Sequence, residues 1–460
     1  MRERRQGSSL WPFAAGALAG AAGALLASRL VSRPSFDPGL VDLPRDHPDV
    51  PDTILVPGIL GSRLLRPDGT EAWLNLGNVF GHHELALPLT LPLSESRDDL
   101  VPAGLVGEGR VIPRLFGFAE YSDIVQLLRS AGFRGGSGPG PRYHLFAYDW
   151  RRDIAEAAQA LHDSIELLAE KSGNPDLRVN IVAHSMGGLV ARCYLRYGDA
   201  PLTEDTPITW AGARRIHRLL LVTCPNAGSV PSLEALLSGS RVGFSATTLA
   251  TSVTEAMPSM YQLLPSAGTA SLLDEACREV KADLMDPATW ERFGWGPWRE
   301  GEEAPNGNGA GPDPERRKAF VTEALRRAAL LHSALSRVPA IACPVRAVAF
   351  GGDCLPTLAR AIVPDRPGIL PRFEPRTRTE ARAMYEAGDG RVTRTSLLGS
   401  HLPWANNSEL GSGYPEIASA FLGSADHHGI YAEPTFQSAI LRQLLRPVRP
   451  ALRAPSRRPY

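Results

Sequence analysis

The residues whose types and spacing could do chemistry cluster first in Val179-Asn180-Ile181-Val182-Ala183-His184-Ser185-Met186-Gly187-Gly188-Leu189-Val190-Ala191-Arg192. A serine hydroxyl is a weak nucleophile until a neighbouring base takes its proton. Ser185 lies in an Ala-x-Ser-x-Gly pattern. Such a turn strains the backbone at its serine, and it closes only if the residues two before and two after are tiny. Ala183 and Gly187 meet that need. Val179, Ile181 and Val182 predict a strand buried on both faces. Leu189, Val190 and Ala191 open an amphipathic run that continues through Tyr194 and Leu195, which predicts a helix. This geometry lifts the Ser185 hydroxyl above a sheet and makes the Met186 N–H an oxyanion-hole donor.

A nucleophilic serine needs a histidine to take its proton and an acid to orient that histidine. After this kind of turn the chain order is serine, acid, histidine. The histidines after Ser185 are His217, His332, His401, His427 and His428. His217 starts a predicted strand and His332 lies within a predicted helix, so both read as structural. His401 follows Asp389 too closely to leave room for a final strand. His427 and His428 fall in a polar loop just before a helix predicted from Pro434 to about Leu445. His427 is preferred and His428 is the alternative. For the acid, Asp389 lies in the turn Gly388-Asp389-Gly390, where a side chain can point freely at an imidazole. Asp353 directly follows a predicted strand and is its rival. Asp149 and Asp426 read as structural or capping residues.

These groups need a scaffold. Thr53 to Ser62 reads as a strand running into a glycine-bounded loop, and paired with the Ser185 turn such a loop supplies a second oxyanion N–H, here that of Ile59. Tyr121 to Ala131 predicts a helix stopped by Gly132. His144 to Tyr148 and Leu219 to Thr223 predict strands. Ile154, Ala158, Leu161, Ile165 and Leu168 share one helical face. Val345 to Phe350 predicts a further strand. Strand and helix in alternation predict an α/β fold with a mostly parallel, doubly wound sheet. Residues from Arg63 to about Phe116 read as loop-rich. About 230–340 reads as a helical cap insertion, with a polar stretch at about 299–315 expected to be disordered. Its Phe244, Met257, Met260, Tyr261 and Trp290 suit an acyl chain or simply pack the cap against the sheet.

Five stretches carry a resemblance to a known family. They are Leu55-Val56-Pro57-Gly58-Ile59-Leu60-Gly61, Trp73-Leu74-Asn75-Leu76, Tyr148-Asp149-Trp150-Arg151, Ala183-His184-Ser185-Met186-Gly187 and Gly388-Asp389-Gly390-Arg391-Val392. In this order they resemble the lecithin:cholesterol acyltransferase and lysosomal phospholipase family of α/β hydrolases, including its bacterial members. The resemblance implies the α/β-hydrolase fold, Ser185 as nucleophile, Asp389 as acid, the Ile59 and Met186 N–H groups as oxyanion hole, and acyl transfer on lipid esters. The cysteine pair of the animal enzymes has no counterpart near Trp73.

Composition narrows the rest. The 460 residues are 43% hydrophobic and 21% charged with zero net charge, so nothing electrostatic points to nucleic acid. Five scattered cysteines give neither a disulfide framework nor a zinc pattern. His82-His83-Glu84 lacks a second ligand pair at helical spacing and reads as solvated. No metal or other cofactor is called for. Residues 1–35 hold Arg2, Arg4 and Arg5, an uncharged Leu10–Ser28 run, then Arg29 and Arg33. They read as an export signal or membrane anchor placing a catalytic domain, residues 36–445, outside the cytoplasm. Residues 446–460 read as a basic Pro/Arg-rich tail. The function expected is a serine-dependent lipid esterase or O-acyltransferase, with an acyl ester as substrate and a membrane surface as candidate partner. The alternatives are a carboxylesterase on small soluble esters and a non-catalytic binding protein of the same fold.

Overall fold

A computed structural model describes residues 50–73, 82–107, 121–136, 140–241, 248–299, 313–406 and 416–445. The readings for 1–35, 446–460, Phe244 and Leu74-Asn75-Leu76 lie outside the described residues, as does most of the 299–315 stretch. Among the described residues, no helix is long and apolar enough to cross a membrane.

The centre is a seven-stranded sheet. Its strands in chain order are β1 Thr53–Val56, β2 Arg134–Gly135, β3 Arg142–Leu145, β4 Val179–His184, β5 Ile216–Val222, β6 Arg346–Gly352 and β7 Ser419–Gly423. Their spatial order is β7-β6-β5-β4-β1-β3-β2, and every pairing is parallel. This is the mostly parallel α/β sheet expected from the alternation of strand and helix, and it agrees with the α/β-hydrolase fold that the resemblance implies. The strand carrying the Ser185 turn lies at its middle.

Alternate residues of each strand feed opposite cores, because side chains leave a strand on alternate faces. Ile54, Ile181, Leu219 and Ala347 enter one core with the helices α2 Ile154–Ser172, α3 Met186–Tyr197 and α5 Pro314–Ser336. Leu55, Val182, Leu220 and Val348 enter the other with α1 Ser122–Ser130 and α6 Pro434–Leu444. Each such fully buried Val, Leu or Ile side chain stabilises the fold by roughly 1.5–3 kcal/mol. α2 is bounded as its sequence dictates. Asp153 caps it by accepting from the Ala155 N–H, and Gly173 ends it in the left-handed conformation.

Two expectations need correction, and one strand was not anticipated. The region read as loop-rich after Arg63 contains a small antiparallel sheet of Ser62–Leu65, Glu71–Trp73 and Val101–Leu105. Its strands are three to five residues long and include Pro102 and Gly104, so no alternating apolar pattern announces them. The strand expected at His144–Tyr148 is the earlier β3, because the chain leaves the sheet once Phe146 N–H has bonded Leu55 C=O. β7 carried no expectation, since it is a half-exposed edge strand without a continuous apolar run.

Between β5 and β6 lie α4 Val230–Ser238, the short helices Thr251–Glu255, Pro258–Tyr261 and Pro287–Phe293, and then α5. Met257, Tyr261 and Trp290 are fully buried in the core of the α2–α3 face. They pack this insertion against the sheet, and among the described acyl-chain candidates only Met260 reaches the cavity described below.

Candidate active site

β4 ends at His184 and α3 starts at Met186, so Ser185 alone makes the turn between them. Its backbone is at φ 52° and ψ −126°, a left-handed-side conformation that L-residues rarely adopt. Two glycines permit the close packing around it. A Cβ on Gly187 would lie 2.4 Å from the Pro57 carbonyl oxygen, and one on Gly58 would lie 2.7 Å from the Ser185 Cβ. The Pro57–Leu60 loop therefore passes directly over the serine.

Ser185 Oγ lies 3.0 Å from His427 Nε2, and His427 Nδ1 lies 2.9 Å from Asp389 Oδ2. All three residues are buried. The other Asp389 oxygen, Oδ1, accepts from the Arg391 and Val392 N–H groups at 2.9 and 2.7 Å. Burial pushes the Asp389 carboxyl up, but the facing His427 and those backbone donors outweigh it and leave the carboxyl below its usual range. Asp389 is thus an anion held rigidly, able to accept from Nδ1 and leave Nε2 free to take a proton from Ser185. Neither the Ile59 nor the Met186 N–H has a hydrogen-bond partner among the described residues. They are open donors, on the loop above Ser185 and at the first residue of α3.

The other candidates stand elsewhere. His428 does not bond Ser185, and its ring meets that of His427 edge-on at 5.1 Å. The Asp353 carboxylate faces Arg394 at 4.0 Å. His332 sits between Ser266 Oγ and the Gln262 carbonyl at 2.9 and 2.8 Å, and burial pushes its pKa down to about 4. His401 bonds Thr269 at 2.9 Å.

Two residues to which the sequence assigned no role in the site join the loops around Ser185. His184 Nε2 lies 3.1 Å from the His427 carbonyl oxygen, which can only accept, so Nε2 carries the proton. Nδ1 must then accept, and Tyr121 Oη–H donates to it at 3.0 Å. The Tyr121 oxygen in turn accepts from the Gly58 N–H at 2.8 Å. Burial, reinforced by His427, pushes the His184 pKa down to about 3, so it stays neutral in this role. The chain of bonds runs from the oxyanion loop through the residue before Ser185 to the backbone of His427. Tyr121→Phe strips one hydroxyl and leaves the Gly58 N–H and His184 Nδ1 unpaired in the interior. Turnover of an ester is expected to fall about 10²-fold with KM nearly unchanged, because slightly misplaced catalytic groups lose about that much. Steady-state kinetics check it, and a kcat within twofold of wild type would refute the role.

The loop over Ser185 has further supports. Trp73 Nε1 donates to Leu60 O at 2.9 Å, Tyr148 Oη to Pro57 O at 2.8 Å, and Trp150 Nε1 to Ser62 O at 3.0 Å. Arg151, fully buried, pairs with Asp98 and Asp149 and anchors the run from which Tyr148 and Trp150 project. This accounts physically for the Tyr148-Asp149-Trp150-Arg151 signature.

Over Ser185 opens a cavity of about 140 Å³ walled by Ile59, Leu60, Pro231, Ala235, Met260 and Leu263, with His427 and His428 on one side. Residues 114–291 match the family model described as lecithin:cholesterol acyltransferase. The chain resembles that family, and the matched stretch includes Ser185 but neither Asp389 nor His427. A comparison with curated proteins finds no significant match. Among solved structures, the Tle4–Tli4 complex is similar at TM-score 0.51 and 15% identity, over 86% of this chain and 98% of that one. Bacillus licheniformis lipase BlEst2 in mature form matches at TM-score 0.37 and 10% identity, over 89% of this chain and 96% of that one. At such identity the likeness to the Tle4–Tli4 complex is one of fold.

Proposed function

We propose that the chain is a serine-dependent acyl-transfer enzyme acting on lipid esters. The observation that carries this reading is the continuous line Asp389–His427–Ser185 ending below two open N–H donors. His427 Nε2 takes the Ser185 proton as Oγ attacks the ester carbonyl. The tetrahedral oxyanion accepts from the Ile59 and Met186 N–H groups, and one such donor is worth about 3 kcal/mol in the transition state. The imidazolium formed is held by Asp389 and gives its proton to the departing alcohol. Water or a second alcohol, deprotonated by His427, then takes the acyl group from Ser185.

The lipid assignment rests on the family match and on the apolar cavity wall. A second reading, a carboxylesterase on small soluble esters, is favoured by the cavity volume of about 140 Å³, which suits a short acyl group. The two are separated by incubating the full chain with labelled phospholipid vesicles, with and without a lipophilic alcohol. Labelled fatty acid is expected in both, and acylated alcohol in the second if the transferase branch operates. Cleavage of short aryl esters with no action on vesicles would exclude the lipid reading.

A further inference from the structure

Ser185 and Asp389 are held by different parts of the fold, and His427 bridges them with contacts of 3.0 and 2.9 Å. Ser185 follows β4. Asp389 rests against the end of β6, where a Cβ on Gly352 would lie 3.1 Å from the Asp389 Cβ. β5 lies between those strands, which are therefore about 10 Å apart. One imidazole spans the gap with both bonds in good geometry only if the two sides keep their spacing.

The loop that leaves β5 fills the space between them. Its Asn226 is buried, and its one amide reaches both sides. Oδ1 accepts from Arg192 Nη1 on α3 at 3.1 Å and from Cys224 Sγ at 3.2 Å. Burial pushes the Cys224 thiol up to about 12, so it stays protonated and donates. Nδ2 donates to the Leu397 carbonyl at 2.6 Å. Leu397 belongs to the short helix Arg394–Leu398, which begins just after the Asp389 turn. The partners fix which way the amide faces, because a guanidinium only donates and a carbonyl only accepts. The next three residues hold the acid side as well. Ser396 Oγ, on the same short helix, accepts from the Ala227 N–H at 3.2 Å and donates to the Gly228 carbonyl at 2.6 Å. Ser229 Oγ donates to the Arg391 carbonyl at 2.7 Å. Asn226 adds to these the bond to α3, the helix launched from Ser185.

We propose that Asn226 is a positioning residue whose amide sets the spacing between the Ser185 helix and the Asp389 turn, an inference that rests on the acyl-transfer reading for the joint action of the two groups through His427. Arg192 is thereby tied to the acid side through Asn226 as well as to Glu416.

Two variants of the full chain separate positioning from packing. Asn226→Ala removes both sides of the bracket. Asn226→Asp keeps an oxygen for Arg192 but sets its other oxygen against the Leu397 carbonyl, so it breaks the acid side alone. Each is first checked for a cooperative melt, and Asn226→Asp serves where Asn226→Ala does not fold. On a short aryl ester both should lower kcat about 10²-fold with KM nearly unchanged, the loss that slight misplacement of catalytic groups brings. In an Asp389→Asn background, adding Asn226→Ala should cost less than about threefold, because both changes act through one contact. A further readout needs no turnover. The His427 Nδ1 proton held by Asp389 should give a downfield proton resonance, absent from Asp389→Asn, and Asn226→Ala should move it upfield. A kcat within about twofold of wild type in either variant, a fully additive loss in the Asp389→Asn background, or an unmoved resonance overturns the role. A parent that shows the resonance but cleaves no ester removes the acyl-transfer reading instead, and the resonance shift in Asn226→Ala then decides the bracket.

Discussion

Asp389→Asn should lower ester turnover about 10⁴-fold while leaving the fold and KM nearly intact. The size follows from which Asp389 oxygen is held. Oδ1 accepts from the Arg391 and Val392 N–H groups, so an asparagine keeps its carbonyl oxygen there. Its NH₂ then occupies the position of Oδ2, 2.9 Å from His427 Nδ1. An amide NH₂ only donates, which forces Nδ1 to accept and puts the imidazole proton on Nε2. Nε2–H faces Ser185 Oγ and cannot take its proton. Asp353→Asn changes a carboxylate facing Arg394 and should cost less than threefold. Turnover on a short aryl ester, beside thermal melts of both variants, decides it. Comparable losses in the two would move the acid away from Asp389.

The second large effect is on stability. Arg192 and Arg196, both on α3 and both fully buried, converge on the carboxylate of Glu416 just before β7. The arginines also donate to the carbonyls of Leu335 and Ala334 at the end of α5, and Arg192 lies over the Trp404 ring. Removing one member of a buried ion cluster strands the other charges without water, a loss of about 3–5 kcal/mol. Glu416→Gln should show that loss in urea unfolding, and a loss under 1 kcal/mol would contradict this account. The same carboxyl has a pH signature. Burial raises its pKa, but Arg192 and Arg196 outweigh that and hold it below the ordinary glutamate value of 4.5. A depressed folded pKa means the unfolded chain binds the proton first as pH falls. The contribution is therefore complete above about pH 4.5 and is lost as pH falls through the folded pKa. Because this cluster ties the helix launched from Ser185 to the strand leading to His427, its loss should loosen the site before the whole domain unfolds.

How much of this was legible in the sequence follows from how local each signal is. The Ser185 turn is built from consecutive residues, so Ala183, Gly187 and the flanking apolar runs announce it directly. The Gly388-Asp389-Gly390 turn is local in the same way. His427 and His428 are consecutive, and sequence weighs them by position alone. Only the fold shows which ring lies between Ser185 and Asp389, because neighbouring side chains leave a turn in different directions. Tyr121 and His184 were silent for a stronger reason. Tyr121 is 63 residues from each of its partners, Gly58 and His184, and no periodicity links them. β7 was silent because an exposed edge strand needs no apolar run. The apolar insertion residues misled in part. Met257, Tyr261 and Trp290 have the composition of a lipid pocket, but they are equally suited to the core they fill.

The most direct test of the central claim is covalent labelling of the folded chain by a fluorophosphonate, read by peptide mass spectrometry. Only a serine activated by an adjacent base and an oxyanion hole reacts readily with such a probe. One adduct is expected, on the peptide containing Ser185, that is absent from Ser185→Ala and strongly slowed in Asp389→Asn. A folded wild-type chain that takes up no label, or a Ser185→Ala variant that labels as fast as wild type, would contradict it.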